Sequence, residues 1–213
     1  MTSSIDLEDY LEKHSSTEDA ILKKIYRETN IRMLNPRMVT GHLQGQFLAM
    51  LSKMIKPDLI LEIGTFTGYS AICLSKGLSP GGMLHTIEIN DEIAEIAVDN
   101  IKLAGIKNKI EIHKGNALEV VPLLNKKFDL IFIDGEKKEY PEYYKICCRY
   151  LKVGGYLIAD NILWNGKVLE TESNFDVATK AISDFNNLIS SNKNFEKTFL
   201  PIRDGLLIAL LKQ

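Results

Sequence analysis

Leu59-Ile-Leu-Glu-Ile-Gly-Thr-Phe-Thr-Gly-Tyr-Ser70 is the stretch whose reading decides the fold. An apolar run, Leu59 to Ile63, is interrupted only by Glu62. It breaks at Gly64, and a helical pattern resumes after Gly68 with Tyr69, Ala71, Ile72 and Leu74. That order reads as a buried strand, a tight glycine turn and a helix. Glycine has no Cβ, so the turn can adopt positive φ and approach a ligand closely. The first amides of the next helix are unpaired and face the turn. Parallel α/β sheets bind their ligands at such places, outside the carboxyl ends of the strands. The spacing Gly64-x-x-x-Gly68 supplies neither a dinucleotide G-x-G-x-x-G nor a phosphate loop ending in Gly-Lys-Ser/Thr. Glu62 is out of character for a buried strand. A second carboxylate, Glu88, closes the next apolar strand (Met83 to Ile87), where it can accept both hydroxyls of a ribose. The pattern points to a nucleoside without a pyrophosphate; the plainer alternative is a strand-turn-helix with no ligand.

Working outward, strands alternate with helices. Leu59 to Ile63 precedes a helix Tyr69 to Lys76, and Met83 to Glu88 precedes Asp91 to Ala104. Ile110 to His113 precedes a short helix ending near Leu124, and Phe128 to Ile133 precedes Pro141 to Leu151. Tyr156 to Ala159 reads as the fifth strand, followed by a loop (Asp160 to Thr171) and a helix from about Phe175 to Ser190. Two further strands, Phe195 to Pro201 and Leu206 to Lys212, flank a hairpin turn at Arg203-Asp-Gly205. This alternation predicts an α/β fold with a doubly wound, mainly parallel sheet of seven strands and a C-terminal antiparallel hairpin. Upstream, helices are predicted over Thr17 to Thr29, capped by Thr17, and over Gly41 to Ile55, with a loop from Ile31 to Thr40 between them. The whole chain, 1–213, reads as one domain, with 1–57 a helical cap on a Rossmann-like core at 58–213.

Composition bounds the function. A net charge of -2 gives no general attraction to nucleic acid or anionic membrane. No apolar stretch approaches the span of a bilayer. Met1 to His14 has no apolar core of a signal peptide. Three cysteines, Cys73, Cys147 and Cys148, cannot all pair, and a reducing cytoplasm fits them best. No Cys/His metal spacing is present, and His14, His42, His85 and His113 read as ordinary polar residues.

Two more strands end in acids: Phe128-Asp-Leu-Ile-Phe-Ile-Asp134, and Tyr156-Leu-Ile-Ala-Asp160 with Asn161 behind it. On neighbouring strands, about 4.8 Å apart, these carboxyl ends converge. Two carboxylates and an amide oxygen make a hard half-shell suited to Mg²⁺, or to Mn²⁺ or Ca²⁺. Asp134 and Asp160 could equally cap the segments that follow them. Lys137 stands three residues after Asp134. A free lysine, with pKa about 10.4, is a poor base at neutral pH. A nearby divalent cation would lower that value and acidify a phenol, which lets the lysine take the phenolic proton. By composition alone, Lys137 and Lys138 are a solvated charge run.

Together these residues resemble the cation-dependent, S-adenosylmethionine-using O-methyltransferases typified by caffeoyl-CoA and catechol O-methyltransferases, from about Ile31 to the carboxyl terminus. The resemblance implies that Glu62, Gly64, Gly68, Ser70, Glu88, Asn116, Ala117 and Asp134 bind S-adenosylmethionine. It implies that Asp134, Asp160 and Asn161 hold a divalent cation and that Lys137, with Asp134, carries the catalysis. It also implies S-adenosylhomocysteine as product, a small aromatic diol as acceptor and a homodimer. Two departures stand out. Asn116-Ala117 replaces the family's Asp-Ala, and Asp134-Gly-Glu-Lys137 replaces its Asp-Ala-Asp-Lys. Trp164 is a candidate wall for the aromatic pocket. A cation-independent or non-oxygen methyltransferase, a nucleotide-dependent oxidoreductase and a non-catalytic scaffold are the alternatives.

Overall fold

A computed structural model describes residues 4–212. The chain runs α1 (Ser4–His14), α2 (Ala20–Arg32), α3 (His42–Ile55), β1 (Leu59–Ile63), α4 (Tyr69–Ser75), β2 (Met83–Glu88), α5 (Asp91–Leu103), β3 (Ile110–Lys114) and α6 (Ala117–Leu124). It continues with β4 (Phe128–Ile133), α7 (Tyr140–Tyr150), β5 (Leu151–Asp160), α8 (Val177–Ser191), β6 (Phe195–Leu200) and β7 (Leu206–Leu211). No described helix is long and apolar enough to cross a membrane. The seven strands form one sheet in the order β3-β2-β1-β4-β5-β7-β6. The first five strands are parallel, and β7 returns antiparallel between β5 and β6.

Strand order reverses between β1 and β4, the two strands that pair at the centre of the sheet. Adjacent helices leave the sheet in opposite directions there, and a crevice opens at the carboxyl ends. One face carries Leu61, Ile131, Leu157 and Phe128 against α6, α7 and α8; the other carries Ile60, Leu84, Leu130 and Phe132 against α2, α3 and α4. Each such fully buried side chain contributes roughly 1.5–3 kcal/mol. The cap helices therefore share the sheet's core: Leu22, Ile25, Leu48 and Ala49 pack in the second cluster, and the Tyr69 hydroxyl donates to Glu18 Oε1 at 2.7 Å.

Three boundaries differ from the sequence reading. The second helix is capped by Asp19 and not Thr17, because the Asp19 carboxylate accepts from the Ile21 amide at 2.9 Å. The fifth strand begins at Leu151 and not Tyr156. Its first residues are largely exposed and its pairing with β4 slips between Phe128 and Leu130, so no apolar alternation marks it. The loops at 31–40 and 160–171 each contain a single 3₁₀ turn, Pro36–Met38 and Lys167–Leu169.

Candidate active site

The crevice is a cavity of about 1020 Å³ lined by Gly64, Ser70, Glu88, Asn116, Ala117, Asp134, Lys137, Asp160, Asn161 and Trp164, among others. Gly68 and Glu62, also singled out from the sequence, are not on its wall. Gly68 caps α4 with φ 85°, and Glu62 lies beneath the floor, fully buried.

Gly64 owes its identity to packing as well as to any ligand. Its φ is 100°, and a Cβ there would collide with the backbone carbonyl of Asp134. The absence of a side chain at the end of β1 is what lets the end of β4 close beside it. The Asp134 amide donates to Ile63 O at 2.8 Å, which fixes that approach.

Glu88 ends β2 with each carboxylate oxygen already oriented. Oε2 accepts from the Phe66 amide at 2.8 Å and Oε1 from the Asn90 amide at 3.0 Å. Each oxygen keeps lone-pair capacity for one hydroxyl. Asn116 caps α6: its Oδ1 accepts from the Leu118 amide at 2.8 Å. The substitution of Asn for Asp thus preserves the cap and turns an amide N–H₂ toward whatever the side chain can still reach.

Beneath them, Glu62 accepts from the Thr86 hydroxyl at 2.5 Å, and its Oε1 has no partner. Burial pushes its pKa up to about 8, against the hydroxyls of Thr86 and Ser70 and with help from the charges of Asp134 and Glu88. Glu62 is therefore a neutral acid at pH 7, which is how a lone carboxyl tolerates the core of a sheet.

At the other end of the crevice the two acids do converge. Burial, followed by repulsion from Asp160, pushes the Asp134 carboxyl up to about 6 against the pull of Lys137. Lys137 Nζ donates to Asp134 Oδ1 at 2.8 Å and to the Tyr140 hydroxyl at 3.0 Å; that hydroxyl donates to Asp160 O at 2.9 Å. Burial alone would lower the Lys137 pKa, but Asp134 and then Tyr140 outweigh it and hold the ammonium form. Lys137 is thus part of the site and no solvated charge run.

Asp160 is held by residues that sequence reasoning did not single out. Its Oδ2 accepts from Gln44 Nε2 at 2.7 Å and its Oδ1 from the Asn161 amide at 2.8 Å. Gln44 Oε1 accepts in turn from Arg203 Nη1 at 3.1 Å, and the same guanidinium nitrogen reaches the carbonyls of Val39 and Thr40. Cap helix, fifth strand and C-terminal hairpin therefore meet at one carboxylate. Gln44 is 1% exposed on the buried face of α3 beside Gly45, Leu48 and Ala49, and a long polar side chain at that helical position was the one signal available. Trp164 lines the cavity with its indole N–H buried and without a partner in the protein.

A carboxylate with lone pairs to spare beside a glycine turn, and a lysine set on a buried acid, share this one crevice. A family model for O-methyltransferases matches residues 12–212. The chain belongs to the O-methyltransferase family. It is 34% identical over 178 residues to a catechol O-methyltransferase of Niastella koreensis, covering 79% of this chain and 80% of that protein. It is also 34% identical over 182 residues to caffeoyl-CoA O-methyltransferase 2 of Petunia hybrida, covering 80% of this chain and 75% of that one. Among solved structures, the O-methyltransferase from Bacillus cereus in complex with SAH superposes with a TM-score of 0.91 at 30% identity, covering 97% of each chain. This O-methyltransferase therefore has the seven-stranded architecture of its family, with the crevice at the carboxyl ends of the strands.

Proposed function

We propose that this O-methyltransferase moves the methyl group of S-adenosylmethionine to one hydroxyl of a catechol-like aromatic diol, with a divalent cation at Asp134, Asp160 and Asn161, and releases S-adenosylhomocysteine. The observation that carries the reading is the convergence of Asp134 and Asp160 in one cavity, with Lys137 seated on Asp134 and Glu88 across the crevice. The names of the relatives and the SAH held by the Bacillus cereus structure support it.

The residues fit a hard cation. The donors are all oxygen, and Asp134 is raised partly by its neighbour Asp160, a repulsion that positive charge would relieve. A cation there supplies charge that competes for Asp134 and stabilises an acceptor's phenolate. S-adenosylmethionine supplies an electrophilic methyl on its sulfonium.

The remaining roles belong to the chain. Glu88 accepts the two ribose hydroxyls on the lone pairs its backbone donors leave free. Asn116 and Ala117 flank the base, and Gly64 and Ser70 border the amino-acid end. Lys137 acts as base from its neutral form, which a cation competing for Asp134 would favour, and its Nζ then takes the proton from the acceptor hydroxyl. Tyr140, fully buried and pinned to the Asp160 carbonyl, fixes where that nitrogen sits. Gln44 and Arg203 hold the Asp160 carboxylate in place. Trp164 walls the acceptor side and offers its free N–H. Alignment of oxygen, methyl and sulfur supplies the larger share of the rate gain. The reading includes a homodimer, supported by the apolar Leu7, Tyr10 and Leu11 exposed along α1 and testable by light scattering.

The test is methyl transfer to a panel of catechols, followed by mass spectrometry, with Mg²⁺, without it and with chelator. A product heavier by one methylene that vanishes with chelator supports the reading. Product that survives chelation assigns Asp134, Asp160 and Asn161 another role.

A further inference from the structure

Outside the crevice, a second group of ligand-bearing side chains lies on β2 and β3. The parallel register sets His85 opposite Glu111, and His113, two residues on, opposite Ile87. Side chains two apart on a strand share a face, so all three project together at the edge of the sheet. None of them lines the crevice. His85 Nδ1 is 3.0 Å from His113 Nε2 and 3.3 Å from Glu111 Oε2, and His113 Nε2 is 4.0 Å from Glu111 Oε1. Among the described residues, this is the one group of three His, Cys, Asp or Glu side chains whose donor atoms all lie within 4.8 Å of one another.

Those spacings have a metal-sized meaning. Zinc binds imidazole nitrogen and carboxylate oxygen at about 2.0–2.2 Å in a tetrahedron, which places neighbouring donor atoms about 3.3–3.5 Å apart. Two of the three observed spacings, 3.0 and 3.3 Å, lie within a few tenths of an ångström of that edge. The third closes by rotation of the Glu111 carboxylate, which is free to turn because its side chain is 56% exposed.

A hydrogen bond between the two rings is the simpler account of the contact. It does not account for the Glu111 carboxylate beside the pair; His85 itself is 4% exposed, and its other ring nitrogen, Nε2, has no partner among the described residues. Buried imidazole nitrogens are normally paired. The rings also lie nearly parallel (27°) with centroids 5.2 Å apart, and the edge of Phe128 supports His85 from beneath. The pair is held as a unit, with His85 Nδ1 and His113 Nε2 facing each other beside a movable carboxylate.

We propose that His85, His113 and Glu111 form a second metal site, specific for a borderline transition ion, with zinc the best fit and a water as fourth ligand. Two imidazoles and one carboxylate favour zinc over Mg²⁺, whereas the all-oxygen set at Asp134, Asp160 and Asn161 has the opposite preference. The site clasps the edge strand β3 to β2 and takes no part in methyl transfer. It stands on its own observations and does not depend on the acceptor or on the cation in the crevice.

The test is equilibrium dialysis of the chelator-stripped full chain against zinc in saturating Mg²⁺, with bound zinc read by elemental analysis. The proteins are wild type, His113→Ala, Glu111→Gln and, as a marker for the crevice, Asp160→Ala. Wild type and Asp160→Ala are expected to retain one zinc equivalent with equal affinity. His113→Ala should bind at least about tenfold more weakly, since even outer-shell losses cost 10–100-fold. Cobalt in place of zinc should give the visible absorption of a four-coordinate site in wild type and lose it in His113→Ala. If His113→Ala does not fold, His113→Gln removes the ligand while keeping a polar side chain. Zinc binding that survives His113 substitution, that is lost in Asp160→Ala, or that is absent from wild type overturns the proposal.

Discussion

Replacing Glu62 by Gln should change the pH dependence of stability in a way that isolates one proton. In the folded chain the carboxyl is buried, with one oxygen unpartnered, and its pKa rises from 4.5 to about 8. The folded state thus binds this proton more tightly than the unfolded chain does. The resulting stabilisation is complete below the unfolded value and is lost as pH climbs toward the folded one. Inside that window a single group contributes about 1.4 kcal/mol per pH unit, less near its edges, so from about pH 5.5 to about pH 7.5 the wild type should lose roughly 2–3 kcal/mol through Glu62. Glutamine keeps the shape and cannot ionise. Asp134, raised to about 6, acts in the same direction but is present in both proteins and cancels in the comparison. Urea unfolding of both proteins with chelator at those two pH values measures the difference of differences, so any fixed cost of the amide drops out. Glu62→Gln should be favoured at the higher pH by roughly 2–3 kcal/mol more than at the lower. Parallel stability curves would refute the reasoning, since they would mean that the folded protein carries an ionised Glu62.

Four further outcomes follow from the site. Lys137→Ala should cut turnover by roughly 10²–10⁴, the usual range for a general base, and leave S-adenosylhomocysteine affinity unchanged by calorimetry; equal loss of both would contradict the role. Asp160→Ala should abolish Mg²⁺-stimulated methyl transfer, because it removes the carboxylate that Gln44 and Arg203 position, and full activity would sink the site. Gly64→Ala should lower the unfolding free energy by more than about 2 kcal/mol, combining backbone strain at φ 100° with the clash against Asp134. Asn116→Ala should cost about 1 kcal/mol of stability through loss of the α6 cap, whereas Asn116→Asp should keep the cap and hold stability within a few tenths, both read from urea midpoints.

Sequence by itself determined the features written in neighbouring residues. The apolar run ending at Ile63, the glycines after it and the recurring strand-helix alternation specify a parallel sheet, because period and breakers are local properties of the chain. Glu88, Asp134 and Asp160 were legible because each closes an apolar run, and the carboxyl end of a parallel strand is where this architecture opens a crevice. Lys137 was singled out only through the family resemblance; by composition alone it read as part of a charge run.

The tertiary structure decided what depends on strand order and register. Gln44 meets Asp160 across 116 residues and Arg203 meets Gln44 across 159, and no spacing in the sequence announces either contact. Glu62 is pushed toward its neutral form by its burial beneath the crevice, against the Thr86 hydroxyl that the β1–β2 register sets opposite it. Gly64 proved to be required by the backbone of Asp134, just past the end of β4 and 70 residues downstream (134 − 64). His85 and His113, unremarkable 28 residues apart, became a cluster only when β3 paired with β2. A pattern of a few residues can say which face is buried and where a strand ends. Which side chains then confront one another is set by the packing of whole elements, and that is where this protein's electrostatics and its second group of ligands arise.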